Sequence, residues 1–351
     1  MKTVAVNTTQ SYDVVIGSGV LDSLGSRVAD LLPRAKKACI VSDSHVWPLY
    51  GSRTQVLLEK AGFEVSSFVF PAGEASKCGA TYLELLGALA QNQLTRTDCI
   101  IALGGGVVGD MAGFAAATYL RGIPFVQLPT TLLAAVDSSV GGKTAIDLPQ
   151  GKNLAGAFYQ PVLVLCDTDL LRTLPVDIFR DGCAEVIKYG ILYDPALFAE
   201  LTVQGMDFDR EAVIARCVEL KRDIVVQDEL DTGLRRKLNL GHTIGHGAEA
   251  LSDYALSHGK AVAIGTAIVA RAAAACGICD KDACAAILHT LDRFGLPTST
   301  DHTAQALYTA ALSDKKRSGD MVSLILPRTI GDCIIHPMPI SEIEAFVKAG
   351  L

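Results

Sequence analysis

The sequence predicts an α/β fold in two domains, an α/β domain over residues 1–176 and an all-α domain over residues 177–351. Three observations carry this prediction. Short β-rich runs alternate with helical patterns in the first half, a glycine-rich turn follows one of those runs, and amphipathic helical patterns dominate after Pro175. The length of 351 residues, 50% of them hydrophobic, also suits two domains better than one.

The first half begins with a βαβ rhythm. Residues 38–41 and 64–70 form β-rich runs, and a helical pattern over 55–61 separates them. A third run over 98–103 leads into the glycine-rich turn, after which a helical pattern covers 111–120. Alternation of this kind is typical of a parallel sheet with helices on its faces. The first domain is therefore expected to be Rossmann-like.

The glycine-rich turn reads Gly104-Gly105-Gly106-Val107-Val108-Gly109-Asp110. Its glycines match G-x-G-x-x-G, in which backbone amides at the start of a helix bind the pyrophosphate of a dinucleotide. The acidic residue expected about 20 residues later is missing, so Asp43, at the end of an earlier strand, is the candidate for binding a ribose. A tight strand-to-helix turn without a nucleotide is the alternative.

Small hydroxyl residues and glycines fill the stretch 129–153, which suits a loop that wraps a cofactor. The string Gly142-Lys143-Thr144 is not part of a P-loop, because that motif needs a glycine at position 137, where Asp137 stands. Lys143 and Lys152 are candidates for binding a substrate phosphate as compact point charges. Solvated surface lysines are the alternative.

The second half carries the residues expected to bind a metal. His242 and His246 are four residues apart, so on a helix both rings point to the same side. His258 follows closely enough to return to them, and neutral imidazole is the commonest metal ligand. Glu185, which shares a helix face with Lys188, is the candidate carboxylate ligand. Ordinary helix histidines and a surface salt bridge are the alternatives, and the metalloprotease motif is excluded because no Glu follows the first His.

Basic residues precede the histidines and recur near the C-terminus. Arg235 offers a planar fork that matches a carboxylate at two points. Lys315 and Lys316 are candidates for closing over an anion, although basic clusters are more often solvated faces. The sequence thus combines a nucleotide-type turn, a metal-type histidine set and cations suited to an anionic substrate.

The composition excludes several classes of protein. The net charge of −7 and the absence of a basic stripe disfavour a nucleic-acid partner. The longest uncharged small-residue run, 261–270, is too short to span a bilayer, so no membrane partner is expected. The N-terminus lacks the apolar core of a signal peptide, which predicts a cytoplasmic location.

Ten cysteines are dispersed along the chain and mostly lie within apolar runs. This pattern is typical of buried free thiols rather than of a disulfide framework. Cys276, Cys279 and Cys284 have a spacing seen in zinc sites, but no second pair completes a set of four ligands. A structural zinc there is the less favoured alternative.

Five strings together resemble the 3-dehydroquinate synthase family, in the family's order and over nearly the whole chain. They are Gly104–Asp110, Leu128–Thr144, Ala184–Lys188, Gly241–His246 and Asp314–Lys316. The resemblance implies an NAD-binding α/β domain joined to a helical metal-binding domain, a carbon-oxygen lyase with catalytic NAD and one Zn²⁺ or Co²⁺ per subunit, and a homodimer. The implied reaction converts a phosphorylated sugar acid, 3-deoxy-D-arabino-heptulosonate 7-phosphate, to 3-dehydroquinate and phosphate in the shikimate pathway.

The resemblance also implies roles for individual residues. The metal ligands would be Glu185, His242 and His258, with His246 beside the substrate phosphate instead. The phosphate would be held by Lys143, Asn153, Asn239, His246, Lys316 and Arg121, and the dimer partner is one candidate source of the Arg121 side chain. Lys221 and Arg235 would bind the substrate carboxylate, and Lys188 would be a further catalytic residue. NAD would contact Asp43, Glu74, Lys77, Gly104, Gly105, Gly106, Asp110, Thr130, Thr131, Asp137, Ser138, Lys143 and Lys152.

Three positions depart from the family pattern, and three other functions are alternatives. His45 stands where Asn is common, Asp231 where Glu is usual, and Lys260 where Glu often follows His258-Gly259. The alternatives are a metal- and NAD-dependent alcohol or glycerol dehydrogenase, a cyclase of a neutral sugar phosphate, and a non-catalytic regulator. None of the three departures removes an implied metal ligand.

Overall fold

The computed structural model describes residues 1–253, 255–313 and 320–351. Contacts between Cα atoms divide the chain into two compact units. The first contains Met1–Leu174 and Arg210–Leu230, and the second contains Pro175–Asp209 and Asp231–Leu351. The division into two domains at residue 176 stays a prediction. It places 210–230 in the second domain, whereas these residues belong to the first compact unit.

Strands and short helices alternate through the N-terminal part of the first unit. The strands are β1 (Lys2–Val6), β2 (Tyr12–Gly17), β3 (Lys37–Asp43), β4 (Glu64–Phe70), β5 (Cys99–Gly104), β6 (Phe125–Pro129), β7 (Lys143–Leu148), β8 (Gly151–Phe158) and β9 (Leu163–Asp167). The helices between them are α1 (Leu24–Leu31), α2 (Ser52–Lys60), α3 (Gly79–Gln91) and α4 (Gly106–Thr118). The predicted runs at 38–41 and 64–70 are strands, and the run at 98–103 is a strand from Cys99 onward, which confirms the βαβ rhythm.

Helices dominate the rest of the chain. They are α5 (Val176–Tyr193), α6 (Pro195–Gln204), α7 (Arg210–Gln227), α8 (His242–Leu251), α9 (His258–Ala275), α10 (Lys281–Arg293), α11 (Ala304–Ser313) and α12 (Ile340–Gly350). Helix α7 belongs to the first unit and the others to the second. In the described residues no helix is long and apolar enough to cross a membrane.

The main sheet has seven strands in the order β1-β2-β9-β6-β5-β3-β4. Only the β1–β2 pair is antiparallel, and every other neighbouring pair is parallel. Apolar clusters cover both faces of the sheet, so its central strands are buried on both sides. Strand β5 is accordingly buried at every residue, which explains why it reads as a continuous apolar run.

Two hairpins were not predicted from the sequence. Strands β7 and β8 pair over residues 143–158, where the sequence predicts a loop that wraps a cofactor up to residue 153. In the second unit, β10 (Met321–Thr329) and β11 (Asp332–Pro339) pair across a turn in which Gly331 has a positive φ of 86°. The helical prediction for this half therefore holds for most of the described chain but omits one two-stranded sheet.

The carboxyl ends of β3 and β5 lie side by side, with Ser42 paired to Leu103. The chain leaves β3 toward β4 on one side and later forms β5 on the other side. This is the switch point at which open α/β sheets bind their ligands. Asp43 ends β3, and Gly104 ends β5, so the sheet places the predicted ribose and pyrophosphate residues next to each other.

Glycines allow helices α8 and α9 to approach closely, and these helices carry the three histidines of interest. A Cβ atom on Gly265 would lie 1.9 Å from the backbone oxygen of Gly241, and one on Gly245 would lie 2.7 Å from that of Ala261. Backbone atoms cannot rotate away as a side chain can. The separation of the two helices therefore depends on the absence of side chains at these positions.

We expect Gly265→Ala to lower the free energy of unfolding by about 1–3 kcal/mol, as overpacking of a close contact does. The matched control is Gly87→Ala in α3, where an added Cβ meets nothing within 4 Å. There alanine should stabilise the helix by up to about 1 kcal/mol. Urea unfolding of both variants measures the contrast, and an equally stabilising change at both positions would contradict the close approach.

Candidate functional site

Three helices of the second unit bring together one carboxylate and three imidazoles. Glu185 lies in α5 and is 1% exposed, His242 and His246 lie one turn apart at the start of α8, and His258 is the first residue of α9. The ring centroid of His242 is 5.4 Å from that of His246 and 5.3 Å from that of His258. The spacing argument for a shared side of the helix is confirmed, and His258 does return to the pair.

The donor atoms of Glu185, His242 and His258 have the separations of a metal site. Oε1 of Glu185 lies 3.5 Å from Nε2 of His242 and 3.6 Å from Nε2 of His258. Ligands at about 2.1 Å from a tetrahedral zinc ion are about 3.4 Å apart. One carboxylate and two imidazoles are also a ligand set found in catalytic zinc sites, which keep a further position open. These residues therefore fit a divalent cation.

Electrostatics around the histidines also suit a cation. Burial and the nearby charge of Lys188 hold the pKa of His242 well below its ordinary value, so its ring is neutral and able to act as a ligand. Burial works against charge on His258 too, but Glu185 and Glu249 outweigh it and raise the pKa to about 10. The two carboxylates thus stabilise a positive charge at this ring, whether a proton or a metal ion carries it. Glu185 itself forms a buried ion pair with Lys188.

Glu249 is a site residue that the sequence analysis missed. It is 3% exposed, and its Oε2 lies 3.8 Å from Nδ1 of His258. With His246 and His258 it forms a second group whose possible ligand atoms all lie within 4.8 Å of one another. A signal was present in the sequence, because positions 242, 246 and 249 follow the i, i+4, i+7 pattern of one helix face.

Asp181 fixes the backbone at the start of α9, and no sequence signal indicated it. Its Oδ1 accepts hydrogen bonds from Oγ of Ser257 at 2.5 Å and from the backbone N–H of Lys260 at 2.9 Å. A Cβ on Gly259 would lie 1.9 Å from the backbone oxygen of Asp181. The Asp181 carboxylate therefore caps the N-terminus of α9, because it binds one residue before His258 and another after it.

A short 3-10 helix, Leu234–Asn239, holds the predicted Arg235 and Asn239 just before His242. Arg235 is 2% exposed, which is unusual for a guanidinium and unlike a solvated surface charge. Asn239 donates from Nδ2 to the backbone oxygen of Arg236 at 3.0 Å. Lys315 and Lys316 lie outside the described residues.

The glycine-rich turn of the first unit packs against the segment that follows β6. A Cβ on Gly105 would lie 3.0 Å from Cγ2 of Thr131, and one on Gly106 would lie 3.3 Å from Oγ of Ser138. Oγ1 of Thr130 is buried, and within the described part of the chain it has no hydrogen-bond partner. Such a hydroxyl is costly when nothing satisfies it, and a ligand bound beside the glycine-rich turn could supply the missing hydrogen bond.

A second group of predicted residues meets around Lys77, which is 4% exposed. Its Nζ lies 2.6 Å from Oδ2 of Asp110 and 2.6 Å from Oδ1 of Asn153. Burial opposes the charge on Lys77, but Asp110 and Glu74 outweigh it and raise its pKa. Lys152 lies 3.4 Å from Glu74. Residues scattered over 80 positions thus form one polar cluster.

The other predicted residues of the first unit have different surroundings. Nζ of Lys221 in α7 donates to the backbone oxygen of Asp137 at 2.6 Å and pairs with its Oδ1 at 3.0 Å. Asp43 accepts hydrogen bonds from the backbone of His45 and Val46, which fixes the turn after β3. Lys143 is the exposed first residue of β7. Arg121 is exposed and has a strained φ of 67°, a feature that clusters at functional sites.

Sequence comparison matches both halves of the chain to one family. Models described as the 3-dehydroquinate synthase N-terminal and C-terminal regions match residues 67–181 and 182–317. A 3-dehydroquinate synthase of Pelobacter propionicus is 47% identical over 344 residues, which cover 95% of this chain and 96% of that relative. One from Caulobacter vibrioides is also 47% identical, over 93% of this chain and 92% of the relative.

Solved structures share the fold over nearly the whole chain. A 2-epi-5-epi-valiolone synthase from Streptomyces hygroscopicus, solved with NAD⁺ and Zn²⁺, has a TM-score of 0.88 at 29% identity and covers 98% of both chains. A 2-deoxy-scyllo-inosose synthase with carbaglucose-6-phosphate, NAD⁺ and Co²⁺ has a TM-score of 0.90 at 24% identity and covers 100% of both. A butanol dehydrogenase from Thermotoga maritima scores only 0.69 at 15% identity over 96% of each chain. The chain belongs to the 3-dehydroquinate synthase family.

Proposed function

We infer that this protein converts 3-deoxy-D-arabino-heptulosonate 7-phosphate to 3-dehydroquinate and phosphate, a step of the shikimate pathway. The observation that carries this inference is an intact Glu185, His242 and His258 set in a chain 47% identical to a 3-dehydroquinate synthase over 95% of its length. Release of inorganic phosphate from the purified heptulosonate phosphate, with 3-dehydroquinate identified as the product, tests it. A protein that binds metal and NAD but releases no phosphate would contradict it.

We propose that Glu185, His242 and His258 hold one Zn²⁺ or Co²⁺ ion and that the first unit binds NAD. The described donor atoms support the metal, and the buried hydroxyl of Thr130 beside the glycine-rich turn supports the nucleotide. When bound, the metal supplies Lewis acidity and NAD supplies a hydride acceptor and donor. The proposed NAD contacts remain those that the family resemblance implies, from Asp43 to Lys152.

The chain's own contribution is to bind and orient a substrate with an anionic group at each end. We propose that Lys221 and Arg235 bind its carboxylate, since both cations are buried and a carboxylate is costly to bury without such partners. The residues proposed for the phosphate are Arg121, Lys143, Asn153, Asn239, His246 and Lys316. His246 suits this role because its ring lies beside that of His242, with 5.4 Å between the ring centroids, and so borders the proposed metal site.

Turnover should produce no net NADH, because the reaction that we propose oxidises and later reduces the substrate within one complex. The absorbance of NADH and the release of phosphate can be followed in the same reaction, with a sample lacking substrate as the control. Phosphate should accumulate while NADH stays at the level of the enzyme or below. NADH that grows in step with substrate consumption would favour the dehydrogenase alternative.

A homodimer and a cytoplasmic location are further proposals, supported by the family resemblance. If Arg121 reaches the phosphate from a neighbouring subunit, its side chain has to be exposed on the single chain, and it is exposed. Light scattering of the purified protein gives the oligomeric state, and a monomer that is active at nanomolar concentration would contradict the dimer.

A further inference from the structure

Glu249 is a buried carboxylate to which the family resemblance gives no role. It lies in α8, one helical turn beyond His246, and only 3% of it is exposed. Burying a carboxylate is costly unless a cation or a hydrogen-bond donor lies next to it. Its Oε2 faces Nδ1 of His258 at 3.8 Å. The opposite nitrogen of that ring, Nε2, faces Oε1 of Glu185 at 3.6 Å.

The other proposed imidazole ligand has the same arrangement. Nε2 of His242 faces Oε1 of Glu185 at 3.5 Å, while its Nδ1 lies 3.0 Å from the backbone oxygen of Leu240. An imidazole that ligates a metal through Nε2 carries its proton on Nδ1, and that N–H is usually donated to a carbonyl or a carboxylate. Leu240 supplies the carbonyl for His242. Glu249 is the group in the matching position for His258.

We propose that Glu249 is a positioning residue that accepts a hydrogen bond from Nδ1 of His258 and so directs Nε2 toward the metal. The inference rests on the proposed metal site. The present separation of 3.8 Å is about 0.9 Å longer than a usual N–H···O bond, so the proposal requires the ring and the carboxylate to approach each other by that distance when the metal binds. The carboxylate also makes the imidazole a stronger ligand, because its negative charge raises the basicity of the ring.

A second metal ion held by His246, Glu249 and His258 is the competing explanation, since their possible ligand atoms also lie within 4.8 Å of one another. That arrangement would require His258 to ligate two cations through its two nitrogens, with its ring fully deprotonated. A neutral imidazole has one nitrogen lone pair to give. One metal per chain, with Glu249 holding the ring proton, is therefore the favoured arrangement, and metal stoichiometry separates the two.

The test compares Co²⁺ binding by wild-type protein, Glu249→Gln, Glu249→Ala and the control Glu344→Gln, an exposed carboxylate on α12 of the same unit. Competition with a chelator gives affinity and stoichiometry, and the visible spectrum of bound Co²⁺ reports the ligand field. We expect one Co²⁺ per chain throughout, an affinity about 10- to 100-fold weaker in Glu249→Ala, and an altered spectrum. Glu344→Gln should match wild type.

The Glu249→Gln variant distinguishes a loss of the carboxylate's charge from a general disturbance of the structure. Its amide keeps the size of the side chain and can still accept the hydrogen bond, but it lacks the charge, so we expect a loss of about 5-fold and unchanged thermal unfolding of the metal-free protein. Wild-type affinity and spectrum in both variants would overturn the inference. Two Co²⁺ per chain in wild type and one in Glu249→Ala would establish the second metal site instead. Wild-type protein that binds no Co²⁺ would overturn the proposed metal site itself.

Discussion

Replacing Glu185 with Gln is expected to abolish turnover and to weaken metal binding by more than roughly 10- to 100-fold. That range is the loss of affinity expected when a residue that only hydrogen-bonds to a metal ligand is removed. Glu185 presents the one carboxylate oxygen that both Nε2 atoms face, at 3.5 and 3.6 Å. An amide cannot supply the negative charge that the cation requires. Chelator competition measures the affinity, and phosphate release measures the activity.

The same substitution takes the carboxylate away from Lys188, whose side chain is 2% exposed. Breaking a buried ion pair from one side costs about 3–5 kcal/mol of stability, so unfolding has to be separated from metal loss. The double variant Glu185→Gln/Lys188→Met removes both charges and should recover much of that stability without recovering metal. Tight metal binding in the double variant would show that Glu185 is not a ligand.

The same metal-binding assay tests whether His246 or His258 is the third metal ligand. His258→Ala should lose metal as Glu185→Gln does, because its Nε2 faces the same carboxylate oxygen. His246→Ala should retain metal and lose activity, since its proposed partner is the substrate phosphate. The reverse pattern would exchange the two assignments.

Replacing Arg235 with Ala is expected to lower kcat/KM on the heptulosonate phosphate by roughly 30-fold to several thousand-fold, or about 2–5 kcal/mol. A guanidinium that is 2% exposed is desolvated in advance, so a substrate carboxylate gains a strong, two-point hydrogen bond from it. Metal content and NAD binding should remain at the wild-type level. Steady-state kinetics with metal analysis tests both parts.

Arg236→Ala is the matched control, because this neighbouring arginine lies on the same 3-10 helix and is exposed. It should leave kcat/KM within about 2-fold, as exposed charges contribute little. Wild-type protein should also turn over sedoheptulose 7-phosphate, which lacks the carboxylate, poorly or not at all. Comparable efficiency on the two sugars would favour a cyclase of neutral sugar phosphates.

Local patterns in the sequence determined the fold class and much of the site. A strand buried on both faces, such as β5, is a continuous apolar run, and in this chain a glycine-rich turn follows that strand and leads into the helix that begins at Gly106. The four-residue spacing of His242 and His246 fixed their common side, because helix periodicity is a property of neighbouring residues. The family resemblance, rather than geometry, added His258 as the ligand in place of His246.

Only the tertiary structure decided which distant groups meet. Glu249 faces His258, Asp181 caps α9 between Ser257 and Lys260, and Lys77 contacts both Asp110 and Asn153. Helix periodicity puts Glu249 on the same face as His242 and His246, but it does not encode these pairings, because they depend on the packing of whole elements against each other. Local periodicity thus determined the elements and several ligand candidates, while helix packing and strand pairing determined the partners that orient them.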